Sequence, residues 1–122
     1  MSELYREHLL EHYRTPQNTL PLTHSDASVD EHNPLCGDRL HAELKMRHGR
    51  IEEITFIVNG CVISTASASL LSESIKGKTP RQVEKLDFES ISALLKVAVS
   101  PGRIPCVLLP LVALKRMVRM LS

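Results

Sequence analysis

The chain has 122 residues, with 15 Lys and Arg against 14 Asp and Glu for a formal net charge of +1, and it contains no Trp, two Tyr and two Phe. That length fits a single domain, residues 1–122, with a core that needs no disulfide staples, and the weak charge and scarcity of aromatic rings exclude a nucleic-acid partner. Three cysteines, an odd number, widely spaced and with no apolar signal sequence ahead of them, point away from a secreted disulfide scaffold and towards a reducing cytoplasm.

Ser2 is placed to cap a helix in which Tyr5, Leu9 and Tyr13 recur every fourth position, with Glu3 near its positive end and Arg14 near its negative end; Thr15-Pro16 ends it. From Gln17 to His32 the chain is polar and irregular, a surface connection with one short strand expected near Ala27 to Asp30. Leu40 to Met46 alternates apolar and polar residues, and Ile51 to Val58 follows after His48-Gly49-Arg50 with Ile54, Phe56 and Val58 on one face, so the two read as an antiparallel hairpin. Asn59-Gly60 stops the second strand, and Cys61 opens a helix of Ser, Ala and Leu that ends at Lys76-Gly77. Its run from Ser64 to Ser69 makes that helix slender, which suits close packing of a second backbone. At a helix N-terminus the Cys61 thiol is expected to ionise more readily than usual.

Thr79-Pro80 starts a further helical segment, and another runs through Ile91, Leu94, Leu95 and Ala98 before Ser100-Pro101-Gly102. The last helix begins near Cys106, with Val107, Leu111, Leu114, Val118 and Leu121 on one stripe. Pro105, Pro110, Lys115, Arg116 and Arg119 interrupt this most apolar run, so no membrane span is expected. Lys115, Arg116 and Arg119 also form a basic patch, read either as complementing the helix dipole or as docking an acidic partner. The expected architecture is α+β: a small antiparallel sheet of about three strands with helices packed on one side.

The chemistry is concentrated in Asn33-Pro34-Leu35-Cys36-Gly37-Asp38, a turn that sets a thiol two residues from a carboxylate. Cys61 and Cys106 stand at similar Gly- and Pro-marked junctions, so the fold is expected to bring them to Cys36 and Asp38. Three thiols and a carboxylate suit a tetrahedral zinc site or an iron–sulfur unit. The alternative is three unrelated buried cysteines, since free Cys is a common small core residue. The histidines His8, His12, His24, His32, His41 and His48 are scattered and read as surface or packing residues.

These motifs resemble the U-type iron–sulfur scaffold proteins, the family of IscU, SufU and the N-terminal domain of NifU. Leu4-Tyr5 to Asn18 is similar to the family's opening helix and the turn after it. Asn33-Pro34-Leu35-Cys36-Gly37-Asp38 resembles its Asn-Pro-x-Cys-Gly-Asp signature. Gly60-Cys61 before a Ser/Ala-rich helix resembles its second site, and Arg103-Ile104-Pro105-Cys106 resembles the third cysteine site of the SufU branch.

The resemblance implies a SufE/NifU-like fold and a site of Cys36, Asp38, Cys61 and Cys106 holding Zn2+ or a [2Fe–2S] cluster. It also implies sulfur supply by a cysteine desulfurase and delivery to apo iron–sulfur acceptor proteins. In the SufU-like form Cys36 accepts the sulfur as a zinc-dependent sulfurtransferase would, with Asp38 the weaker ligand; in the IscU-like form Cys106 is the first acceptor. Pro105 stands where IscU relatives carry a histidine and SufU relatives a basic residue, which excludes a fourth metal ligand from that position. Val99 to Arg103 replaces the IscU chaperone motif, and the interval from Cys61 to Cys106 is too short for the insertion usual in SufU.

Overall fold

Residues 3–34 and 37–121 are described by a computed structural model. Its elements run α1 (Glu3–Arg14), β1 (Ala27–His32), β2 (Arg39–Arg47), β3 (Arg50–Asn59), α2 (Val62–Ile75), α3 (Pro80–Glu84), α4 (Phe88–Leu95), a 3-10 turn (Pro101–Arg103) and α5 (Ile104–Met120). The fold is α+β, with an antiparallel sheet of order β1-β2-β3.

The hairpin follows from its turn. His48 and Gly49 both take positive φ, 53° and 74°, which matches the right-handed twist of the strands that flank them. Alternation then sorts the side chains: Ala27 and Val29, Leu40, Ala42 and Leu44, and Ile54 and Phe56 are buried on one face. Helix α2 packs against β3, and α5 packs against β1, β2 and α2, so this face holds the core. Strand β1 runs two residues beyond the expected Asp30, because Glu31 and His32 continue the pairing opposite Leu40 and Arg39.

The connection after α1 lies along the sheet rather than away from it. The Asn18 carbonyl accepts from the Phe56 N–H at 3.0 Å, the Leu20 carbonyl accepts from the Thr55 hydroxyl at 2.6 Å, and the Leu22 N–H donates to Glu43 at 2.7 Å. These contacts occupy polar groups at the sheet's edge and outer face.

The serines of α2 explain its slender side. Ser69 Oγ receives the Gln17 N–H at 2.8 Å and meets His12 Nδ1 at 2.7 Å, while Ser72 Oγ accepts from Asn18 Nδ2 at 2.9 Å. The close approach expected of this helix is thus made by α1 and the turn after it.

Two helix ends differ from the sequence reading. Helix α4 stops at Leu95, because Lys96 adopts a left-handed conformation with φ 59° and closes it before Ala98. Helix α5 opens at Ile104 behind the 3-10 turn, which makes Cys106 its third residue, and Leu121 falls beyond its end and is exposed. Leu9 is the buried residue of the α1 stripe, whereas Tyr13 is exposed. The Ser2 cap and the Tyr5 side chain lie outside the described residues. Arg116 pairs with Glu31, and Arg119 pairs with Glu84 through two hydrogen bonds, so two of the three cations of the basic patch are engaged by acids of the same chain. Among the described residues no helix is long and apolar enough to cross a membrane.

Candidate metal centre

Strand register builds the site. Arg39 pairs with Asn59 at the end of the β2–β3 ladder, so the next position outward sets Asp38 beside Gly60, and Cys61 follows at the start of α2. The turn between β1 and β2 is closed by hydrogen bonds from the Asn33 N–H to the Asp38 carbonyl and from the Gly37 N–H to the Asn33 carbonyl, both 2.8 Å. Gly37 has φ 78°, the left-handed conformation for which the sequence supplies a glycine. Helix α5 brings in the last group, since its first turn lays Cys106 towards the same point. Pro105 fits there at no cost in hydrogen bonding, because N–H groups of a helix's first turn have no partner within the helix.

The result is a cluster in which ligand-capable atoms of Asp38, Cys61 and Cys106 all lie within 4.8 Å of one another. Asp38 and Cys106 are buried and Cys61 is half-buried. Burial of Cys106 therefore does not mean that its sulfur is lost among apolar side chains. Cys36, the fourth residue expected here, lies outside the described residues, whereas its neighbours Gly37 and Asp38 do not. The six histidines contribute nothing to this cluster among the described residues.

Local hydrogen bonds set the electrostatics. Cys61 is the N-cap of α2, and its sulfur accepts from the Ser64 N–H at 3.4 Å, where a Ser or Asp oxygen would ordinarily sit. Burial pushes the Cys61 thiol up, but hydrogen bonding with Ser64, with help from Cys106, outweighs burial and the opposing Asp38 carboxylate. The thiol ends below its ordinary value. This is the direction expected of a helix-start cysteine.

Sequence reasoning missed two residues here. In the sequence Ser64 reads as small-residue packing, yet its hydroxyl donates to Asp38 Oδ2 and lies 3.4 Å from Cys61 Sγ. Gly60 reads as a strand stop, yet a Cβ on it would meet the Asp38 carboxyl carbon at 2.8 Å. Its immediate neighbourhood to a candidate ligand was the available signal for Gly60.

The donor set suits zinc. Two thiols and a carboxylate are ligands zinc accepts, and ligand atoms around a tetrahedral ion sit roughly 3.3–3.8 Å apart, inside the 4.8 Å limit that holds here. The residues fit.

The family model described as NifU-like N terminal domain matches residues 4–121. The chain is 35% identical to the zinc-dependent sulfurtransferase SufU of Bacillus subtilis, over 95% of this chain and 90% of that protein. That alignment spans 133 positions, more than the 122 residues of this chain, so SufU carries residues that this chain lacks. The iron–sulfur cluster assembly scaffold protein IscU of Buchnera aphidicola is 33% identical over 91% of this chain and 88% of its own. Among solved structures, the N-terminal part of a nitrogen-fixing NifU-like protein from Brucella abortus superposes with a TM-score of 0.77 at 20% identity, covering 94% of this chain and 92% of that one, a likeness of fold.

Proposed function

This chain belongs to the NifU-like N-terminal domain family of iron–sulfur cluster assembly scaffolds, and on that footing we propose that it accepts sulfur from a cysteine desulfurase at a zinc site of Cys36, Asp38, Cys61 and Cys106. The whole chain, residues 1–122, acts as one domain in the cytoplasm and passes sulfur or clusters on to apo iron–sulfur acceptor proteins. The observation that carries this reading is the convergence within 4.8 Å of Asp38, Cys61 and Cys106, from a turn and two helix starts far apart in sequence.

In the transfer, the Cys36 thiolate attacks the outer sulfur of the desulfurase persulfide. A new S–S bond forms to Cys36, the old S–S bond breaks, and the desulfurase cysteine leaves as a thiolate, so no external oxidant or reductant is needed. Zinc, when bound, keeps its cysteine ligands ionised. Asp38 is the ligand suited to yield, because a carboxylate is a harder and weaker partner for zinc than a thiolate. Cys61 and Cys106 keep the site assembled while Cys36 reacts.

Metal analysis of the untagged protein should find about one zinc per chain, and the protein should accelerate desulfurase turnover, an effect lost in Cys36→Ala. Unchanged desulfurase rates with and without the protein would reduce the site to a structural zinc module. The relationship to IscU supports a second reading, assembly of a [2Fe–2S] cluster as cargo on the same residues. Anaerobic reconstitution with iron and sulfide separates the two: a coloured cluster that transfers to an apo-acceptor favours the scaffold, with Cys106 then the candidate first acceptor.

A further inference from the structure

We propose that Ser64 is a positioning residue that fixes the Asp38 carboxylate through its hydroxyl and the Cys61 sulfur through its backbone N–H, thereby setting how tightly the site holds its metal. The inference rests on the zinc reading above. Ser64 is the third residue of α2 and is fully buried. Its hydroxyl donates to Asp38 Oδ2, its Oγ lies 3.4 Å from Cys61 Sγ, and its backbone N–H donates to the same sulfur at 3.4 Å. One residue therefore touches two of the three candidate ligands.

A hydroxyl has a single proton. While that proton is given to Asp38, the Cys61 sulfur must draw its hydrogen bond from the backbone N–H, which no side-chain change removes. The side chain thus serves the carboxylate and the backbone serves the thiolate. The hydroxyl thus fixes the carboxylate through Oδ2, and Gly60, having no Cβ, leaves the carboxyl group the space it occupies. Partners that orient a metal's ligands in this manner typically govern affinity by ten- to a hundred-fold.

The test is competition of the purified chain with a chromophoric chelator for zinc, for wild type, Ser64→Ala, Asp38→Ala and the double variant. Ser64→Ala should bind zinc about ten- to a hundred-fold more weakly than wild type, and in the Asp38→Ala background the same change should have no further effect. Equal affinity of Ser64→Ala and wild type, or losses that simply add in the double variant, would overturn the role of Ser64 while leaving the zinc site standing. Failure of the wild type itself to bind zinc would overturn the underlying reading as well.

Cobalt substitution supplies a readout that is independent of stability. Without the hydroxyl, the carboxylate loses the contact that orients it, so the visible ligand-field bands of Co2+-loaded Ser64→Ala should differ in position or intensity from those of the wild type. Ser64→Thr, which keeps a hydroxyl on the same carbon, should restore them. Identical spectra for all three proteins would argue against the proposal.

Discussion

Gly60 and Asp38 stand so close that a methyl group on the glycine would lie 2.8 Å from the carboxyl carbon and 2.9 Å from Oδ1. Gly60 has no positive φ, so space rather than backbone conformation requires a glycine here. Gly60→Ala should consequently fold, at a cost of about 1–3 kcal/mol for overpacking, while pushing the carboxylate out of the cluster. Zinc affinity should fall by roughly ten-fold or more, measured by chelator competition beside a thermal melt. Wild-type affinity in Gly60→Ala would mean that Asp38 is not a ligand.

What was legible in the sequence was what depends on neighbours along the chain. The hairpin announces itself through alternation on either side of His48-Gly49, and α2 announces itself through its Asn59-Gly60 entry and Lys76-Gly77 exit. The three sulfur- and oxygen-bearing motifs were visible as residue types at turns and helix starts. The roles of Ser64 and Gly60 were not, because each is defined by Asp38 across the β2–β3 register, 26 residues away from Ser64. The end of α4 was hidden for a different reason: a lysine, Lys96, takes the left-handed conformation that a glycine would have signalled.

His41 sits between two carboxylates, with Nδ1 2.9 Å from Asp30 Oδ1 and Nε2 2.9 Å from Glu43 Oε2. Both nitrogens can donate at once only in the imidazolium, and Glu43 first, then Asp30, raise the His41 pKa above its ordinary 6.5 against a smaller effect of burial. The stability this contributes is complete below pH 6.5 and is lost as pH rises through the raised folded value. Glu43, held below its ordinary 4.5 by His41 and then by the Leu22 N–H, contributes in the other sense, above pH 4.5 and lost as pH falls through the depressed value. The clasp is strongest between those limits. Because the His41 side chain is 36% exposed, each pair contributes at most about 1 kcal/mol. His41→Gln should therefore lower the denaturation midpoint at about pH 5.5 and match wild type by about pH 8.5; a deficit that does not change with pH would contradict the clasp.

Ser69 joins α1 to α2, taking the Gln17 N–H at 2.8 Å and meeting His12 Nδ1 at 2.7 Å. Ser69→Ala leaves both of those groups without this partner, which should destabilise the chain by about 1–3 kcal/mol in urea denaturation. Amide exchange at Gln17 should quicken at the same time. Zinc affinity should be unchanged, since the Ser69 contacts involve none of Asp38, Cys61 and Cys106. An equal loss of metal binding would show that the helix pair and the site unfold together.

Metal binding should also be visible as stability. An ion that binds only the folded chain stabilises it by about 4 kcal/mol when its free concentration is a thousand-fold above Kd. For a 122-residue domain each kcal/mol shifts Tm by roughly 3–6 °C, so a chelator should lower the wild-type Tm by roughly 12–24 °C. Cys106 is 1% exposed, and Cys106→Ser puts a hydroxyl into a buried position whatever the metal does. The informative quantity is therefore the change in Tm on chelation rather than Tm itself. That change should nearly vanish in Cys61→Ser and in Cys106→Ser, while a wild-type Tm indifferent to chelator would remove the metal from the centre altogether.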